Sequence, residues 1–291
     1  MDPNGGRRLA MAAAALDVAA SAAKRPRAGN ILGLTYAVII YAFFYIPIVV
    51  IILFAFSGRE IPALPLETFT TRWFHEALQD EELVTSLWSS TWIALATAVL
   101  ATAIGMPAAM VLAWRPFRGK AVVFGLILSP IIIPQMVIGI SLLLLFRYSP
   151  QLLGAIGIVI AHTTLTLCFS VMIFYSRLLG FRRSLIEAAM DLGASEPRVF
   201  FEVILPLTTP AILAVMLLTF TESFGEFIVA WFVAGFEETL PIAIWTSLRF
   251  GLSPKINAIA TLIMIVSIAL SAFAQFWILR QTRSPATQAP R

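Results

Sequence analysis

Residues 176–207 read Ser176-Arg-Leu-Leu-Gly-Phe-Arg-Arg-Ser184-Leu-Ile-Glu187-Ala-Ala-Met-Asp191-Leu-Gly193-Ala-Ser195-Glu-Pro197-Arg-Val-Phe-Phe-Glu-Val203-Ile-Leu205-Pro206-Leu207. This polar, punctuated stretch lies between two apolar runs, Gly154–Tyr175 and Thr209–Val233. Each run is long enough to cross a bilayer core, which takes about 20 mostly apolar residues. Four more such runs occur outward from the pair: Ile31–Phe56, Val84–Ala113, Val122–Phe146 and Ala258–Leu279. The expected fold is an all-α polytopic membrane protein with six transmembrane helices.

Composition agrees with this. Of 291 residues, 59% are hydrophobic and 12% are charged, against about 25% charged in soluble domains. A globule of this length could not hide so much apolar surface from water. Pro47, Pro107, Pro130 and Pro134 fall within the spans. Membrane helices tolerate proline where neighbours or a water-filled cavity satisfy the freed carbonyls. Small residues such as Ala94, Ala96, Ala98 and Ala101 allow close packing in a bundle. The single cysteine, Cys168, cannot pair within the chain.

With the N-terminus inside, 15 of the 20 basic residues fall on the cytoplasmic side and 5 outside. The positive-inside rule therefore places both termini in the cytoplasm. Acids collect in the outer loops, among them Glu60, Glu76, Glu82, Glu237 and Glu238. The basic sequence pI of about 9.6 reflects topology and does not point to nucleic acid. Residues 1–30 read as a cytoplasmic, low-complexity tail, and 281–291 as a second cytoplasmic tail. Residues 31–280 form the membrane domain.

The stretch 176–207 carries its own helix punctuation. Ser184-Leu-Ile-Glu187 has the form of a capping box. The helix Leu185–Leu192 should stop at Gly193, which tolerates a left-handed conformation. Ser195 can cap a second helix with Pro197 in its first turn, ending at Leu205-Pro206. Ile186, Ala189 and Met190 share one face, with Ala188, Asp191 and Leu192 nearer the other. Such a knob suits docking into a groove on another protein. The alternative is an amphipathic helix lying among lipid headgroups.

These residues resemble the EAA loop of permease subunits in binding-protein-dependent ABC importers, whose signature is E-A-A-x3-G-x9-I-x-L-P. Glu187, Ala188, Ala189, Gly193, Leu205 and Pro206 match, and Val203 replaces the isoleucine. The resemblance covers roughly residues 31–280. Ser129-Pro-Ile-Ile-Ile-Pro134, Gly139-Ile-Ser-Leu-Leu and Leu240–Arg249 are most similar to the second permease of spermidine/putrescine-type importers. So is the run from Leu252 to Thr261.

The resemblance implies a type I importer permease in the bacterial inner membrane. It would couple to a separate ATPase through Glu187, Ala188, Ala189, Asp191, Gly193, Leu205 and Pro206. Glu187 has two candidate roles: closing the capping box, or pairing with a base on the ATPase. The implied partners are a second, non-identical permease, two ATPase subunits and a periplasmic or lipid-anchored substrate-binding protein. ATP and Mg2+ would be used by the ATPase, and this chain would hold no cofactor. It would not be an enzyme on its own. The sequence has no Walker-type phosphate loop; its one Gly-Lys pair, Gly119-Lys120, has Trp114 where the first glycine should stand. With only His75 and His162, a His-rich metal centre is excluded.

Ionisable residues inside a span mark functional sites. Glu222 and Glu226 lie one helical turn apart in the fifth span, and Thr219 and Ser223 extend their polar face. Two facing carboxylates call for a cation between them, which an amine-bearing solute would supply. Polyamine-type relatives often carry acids just after a Ser in this span, and Glu226 fits one such place in Thr221-x-Ser223-x-x-Glu226. Gly225 stands where many have a second acid, and Glu222 is an added one. Pairing with the partner permease, or placement near the outer water boundary, is the alternative for both glutamates. His162, with Thr163 and Thr164, reads first as a packing hydrogen-bonder, and Gln135 can face the same cavity. Other solutes consistent with the loop are an amino-acid-like compound or Fe3+. An ion-coupled secondary transporter would use Glu222 and Glu226 as a relay, but it has no need of a docking knob. An intramembrane enzyme lacks any recognisable catalytic motif here.

Overall fold

A computed structural model describes residues 27–251 and 253–282. The tail assigned to residues 1–30 lies almost wholly outside the described residues, as do residues 283–291. The described chain is helical, with one isolated bridge between Ser57 and Phe69. Residues 1–54 and 55–291 form separate units by their contacts. In the first, α1 (Arg27–Ala55) runs without a charged residue from Ile31 onward and continues through Pro47.

The second unit holds α2 (Arg72–Gln79), α3 (Glu81–Trp114), α4 (Lys120–Ile132), α5 (Gln135–Phe146), α6 (Ala155–Leu179), α7 (Ser184–Asp191) and α8 (Glu196–Val199). A π turn (Phe200–Ile204) leads into α9 (Leu205–Gly225), followed by α10 (Ile228–Val233), α11 (Leu240–Phe250) and α12 (Pro254–Thr282). Helices α3, α6 and α9 pack on one another at the centre. Ala94, Ala98, Ala101, Gly105 and Ala109 are buried on α3. A Cβ at Gly105 would stand 2.1 Å from Ser170 Oγ on α6. The Ser170 hydroxyl itself donates to the Ala101 carbonyl at 2.7 Å. Backbone approach, rather than large side chains, makes this contact, as is common between membrane helices.

Two expected spans are broken. Val122–Phe146, read as continuous, is α4 and α5 bent by 105°. Proline disfavours helical geometry in the residue before it and cannot donate. Ile133 is accordingly extended (φ −77°, ψ 130°), and α5 restarts after Pro134. Thr209–Val233 is interrupted as well: α9 ends at Gly225, Glu226 is extended, and α10 begins at Ile228.

The loop differs from its sequence reading in two respects. The helix starts at Ser184, one residue early, because Arg183 is itself helical; the Arg183 carbonyl accepts from the amides of Ile186 and Glu187. Ser184 thus lies inside the first turn, and no capping box forms. The second helix also does not stop at Leu205-Pro206. Across the π turn the Leu205 amide reaches back to the Phe200 carbonyl. The next residue, Pro206, has no N–H to lose, so Glu196–Gly225 runs on as one 30-residue span. The glycine elbow is as expected. Gly193 has φ +87°, and the bonds from Gly193 N to Met190 O and from Ala194 N to Ala189 O close a Schellman motif.

Four helices, Gly33–Ala55, Glu81–Trp114, Ala155–Leu179 and Glu196–Gly225, are long and apolar enough to cross a membrane, and the bent α4–α5 pair would make five. The sixth expected span falls in α12, where Pro254–Ala269 is the apolar part among the described residues.

Candidate functional site

The two breaks face each other. A cavity of about 350 Å³ lies between residues Pro130–Gln135 at one break and Glu222, Ser223 and Glu226 at the other. His162, Leu165, Thr166, Cys168 and Phe169 of α6 form its remaining wall. Glu222 is exposed, and among the described residues its carboxylate has no hydrogen-bond or ion-pair partner. Glu226 is different. Its Oε1 accepts from the Val229 amide at 3.0 Å and so caps α10. Its Oε2 accepts from Gln135 Nε2 at 2.9 Å. Both glutamates line the cavity, but they reach it from either side of the helix end rather than from one continuous helical face.

Ser223 is buried, and its hydroxyl shares a 2.8 Å hydrogen bond with His162 Nδ1. His162 is a packing hydrogen-bonder in this respect, although its Nε2 has no partner among the described residues. Thr219 is not at the cavity. It is fully buried, and its hydroxyl donates to the Val215 carbonyl at 2.7 Å, the usual way a helical threonine satisfies itself in an apolar setting. Thr164 does the same toward Ile160.

At the basic end of the bundle, α7 presents Glu187, Ala188, Asp191 and Gly193 outward, while Ala189 packs on the core cluster around Leu178 and Val199. Met190, expected beside Ile186 and Ala189, is exposed; Ile186 remains inward. Leu205 is half-buried on that cluster and Pro206 is exposed. The Glu187 side chain has no hydrogen bond or ion pair among the described residues. Sequence reasoning missed what fixes this helix. Arg183, just before α7, donates to the Trp114 carbonyl at 2.9 Å, while Arg177 ties α6 to α9 through the Leu207 carbonyl at 3.0 Å. The Trp114 indole donates to the Leu178 carbonyl. Backbone acceptors leave no sequence signature, so only the arginines were visible.

At the opposite end, Asp80 caps α3 through the Leu83 amide and pairs with Lys255 at 2.8 Å. The Lys255 hydrogen bond holds the Asp80 carboxyl below its ordinary value, against the upward push of burial. Burial, followed by repulsion from Glu82, pushes Glu238 up. Among the described residues no three His, Cys, Asp or Glu converge to hold a metal ion.

The chain matches the binding-protein-dependent transport system inner membrane component family over residues 101–284. It belongs to that family. It is 36% identical over 248 residues to the spermidine/putrescine transport system permease protein PotC of Escherichia coli K12, covering 85% of this chain and 94% of that one. The putrescine transport system permease protein PotI of the same organism is 35% identical over 232 residues, covering 77% and 82%. In fold it is similar to a chain of a bacterial ABC transporter that imports the acidic polysaccharide alginate, with TM-score 0.67 and 19% identity over 87% of this chain and 98% of that one. A chain of a methionine ABC transporter gives TM-score 0.55 at 18% identity, over 69% and 95%. This binding-protein-dependent inner membrane component is thus a multi-pass ABC importer permease, and the matched region contains both the cavity and α7.

Proposed function

We propose that the chain forms half of the translocation pathway of an ABC importer for polyamines or related amine-bearing solutes. The single observation that carries the solute class is the unpartnered Glu222 carboxylate in the cavity between the helix breaks. Glu222 lies within the apolar Glu196–Gly225 helix; a carboxylate inside a spanning helix is costly unless a cation meets it, and a protonated amine is such a cation. Ile131, Ile132, Leu165 and Phe169 offer apolar surface for a methylene chain beside it. The permeases named for spermidine and putrescine at 35–36% identity support the same class.

In this reading the chain crosses the membrane six times, with both termini and the basic end in the cytoplasm. There α7 docks on a separate ATPase that uses ATP and Mg2+. Glu187, Ala188, Asp191, Gly193 and Pro206 face the docking partner. Ala189 and Leu205 act from behind by seating the knob. With no capping box to close, Glu187 is free to pair with a base of the ATPase. A second permease, two ATPase subunits and a substrate-binding protein complete the complex. Glu222, Ser223 and Glu226 line the route, and Thr219 is structural.

The test is uptake of labelled putrescine and spermidine by proteoliposomes holding the complete complex. Glu222→Gln should weaken uptake while assembly is retained. Wild-type uptake by that variant would remove Glu222 from the pathway, and transport of neither amine by the wild type would remove the solute class.

A further inference from the structure

Glu226 joins the two breaks that bound the cavity. Its Oε1 caps the first turn of α10 through the Val229 amide. Its Oε2 holds the side chain of Gln135, the first residue of α5 after the Pro134 break. Past this point α5 and α10 are packed closely: a Cβ at Gly139 would meet the Phe232 ring at 2.6 Å. The arms on the other side of each break, α4 and α9, are the cavity walls. The Gln135–Glu226 bond therefore links the two hinge points directly. Helix breaks of this kind are where membrane helices bend, because proline and extended residues have already released the backbone bonds that would resist it.

We infer that Gln135 and Glu226 form a latch closing the cavity, and that an ammonium group of the solute opens it by replacing Gln135 at Glu226 Oε2. This rests on the amine-pathway reading above. The exchange is favourable on chemical grounds. The amide of Gln135 is a neutral donor, so its bond to the carboxylate is assisted by one charge only; an ammonium brings the second charge and adds Coulomb attraction at the same oxygen. Glu222, one turn away and unpartnered, supplies the charge that brings the cation in. Glu226 Oε1 stays on Val229, so α10 keeps its cap while Gln135 is released. A cation thus unties the hinges only when present, which makes opening depend on the solute.

Gln135→Ala and Gln135→Lys act in opposite directions and test the latch in the complete complex, assembled in proteoliposomes preloaded with labelled putrescine. Gln135→Ala removes the tie, and ATP-independent efflux should rise about tenfold over wild type. Gln135→Lys puts a permanent ammonium on the same oxygen; uptake should fall to below a tenth of wild type with efflux unchanged. Size-exclusion chromatography of each variant complex checks assembly. Wild-type efflux from Gln135→Ala, or wild-type uptake by Gln135→Lys, would overturn the latch. If Gln135→Ala does not assemble, the Gln135→Lys uptake decides alone. The pathway reading fails separately: it falls if Glu222→Gln transports normally, and it stands if Glu222→Gln is impaired while both Gln135 variants behave as wild type.

Discussion

The Arg183 guanidinium donates to the Trp114 carbonyl across 2.9 Å, tying the residue before α7 to the last residue of α3. The last carbonyls of a helix lack intrahelical partners and carry the negative end of its dipole, so a cation there is doubly favourable. The Trp114 indole in turn reaches the end of α6 at Leu178. A knob with no fully buried residue of its own is thereby held to the two central helices.

Arg183→Ala should cost about 1 kcal/mol, the usual net worth of one such bond at an exposed site. The thermal midpoint of the purified permease should drop by a few degrees. A larger effect is expected on coupling: ATP hydrolysed per solute imported should rise, because α7 can then shift without moving α3. An unchanged hydrolysis-to-transport ratio would show that Arg183 does not transmit the motion.

Gly193 isolates a backbone effect. Nothing lies within 4 Å of a Cβ built there, but its φ is +87°. Gly193→Ala therefore adds no clash and should cost about 1–2 kcal/mol purely from left-handed geometry. Gly193→Val should cost more, since its branched side chain is stiffer. Thermal melts of the three proteins should follow that order, with capture of the ATPase falling in parallel.

Asp80 and Glu238 respond to acid in opposite ways. The Asp80 carboxyl is depressed by Lys255, so its contribution is present above its unfolded value and is lost as pH falls through its lower folded value. Glu238 is raised, chiefly by burial; its contribution is complete below the unfolded value and is lost as pH rises through the folded one. Glu238→Gln should therefore melt higher than wild type at pH 7 and equally at pH 4. Asp80→Ala also loses a helix cap, worth about 1 kcal/mol, and should melt lower than wild type at pH 7. Melting curves at the two pH values check both signs.

The membrane class and the elbow were legible in the sequence, because a long apolar run and a glycine at a helix end each fit few structures. Pro134 and Pro130 were visible too, but whether proline kinks or breaks a membrane helix depends on what receives the freed carbonyls, and a linear pattern does not record that. Thr219 matched the polar face of Glu222 and Glu226 by spacing, yet it turned its hydroxyl to its own backbone. Ser184 and Glu187 had the spacing of a cap, but the helix began one residue early on Arg183. The partnership of Gln135 with Glu226 spans 91 residues, and nothing local in either segment announced it.

The cavity itself yields the sharpest contrast, between two glutamates one turn apart. Glu222→Gln removes a free charge and little else, so the solute should bind more weakly. Loss of one charge-assisted bond is worth about 1.5–3 kcal/mol, or about 10- to 100-fold in KM for putrescine. Glu226→Gln leaves an amide oxygen to cap Val229, and Gln135 can turn its own amide to restore their bond. Packing is kept, but the group that now faces Gln135 is a neutral N–H donor, which cannot accept from the solute's ammonium. Turnover should then fall about tenfold with KM nearly unchanged, since the solute arrives at Glu222 but does not release the breaks. Steady-state uptake across putrescine concentrations separates the two. Equal changes in KM for both variants would mean that the glutamates act together as one binding site.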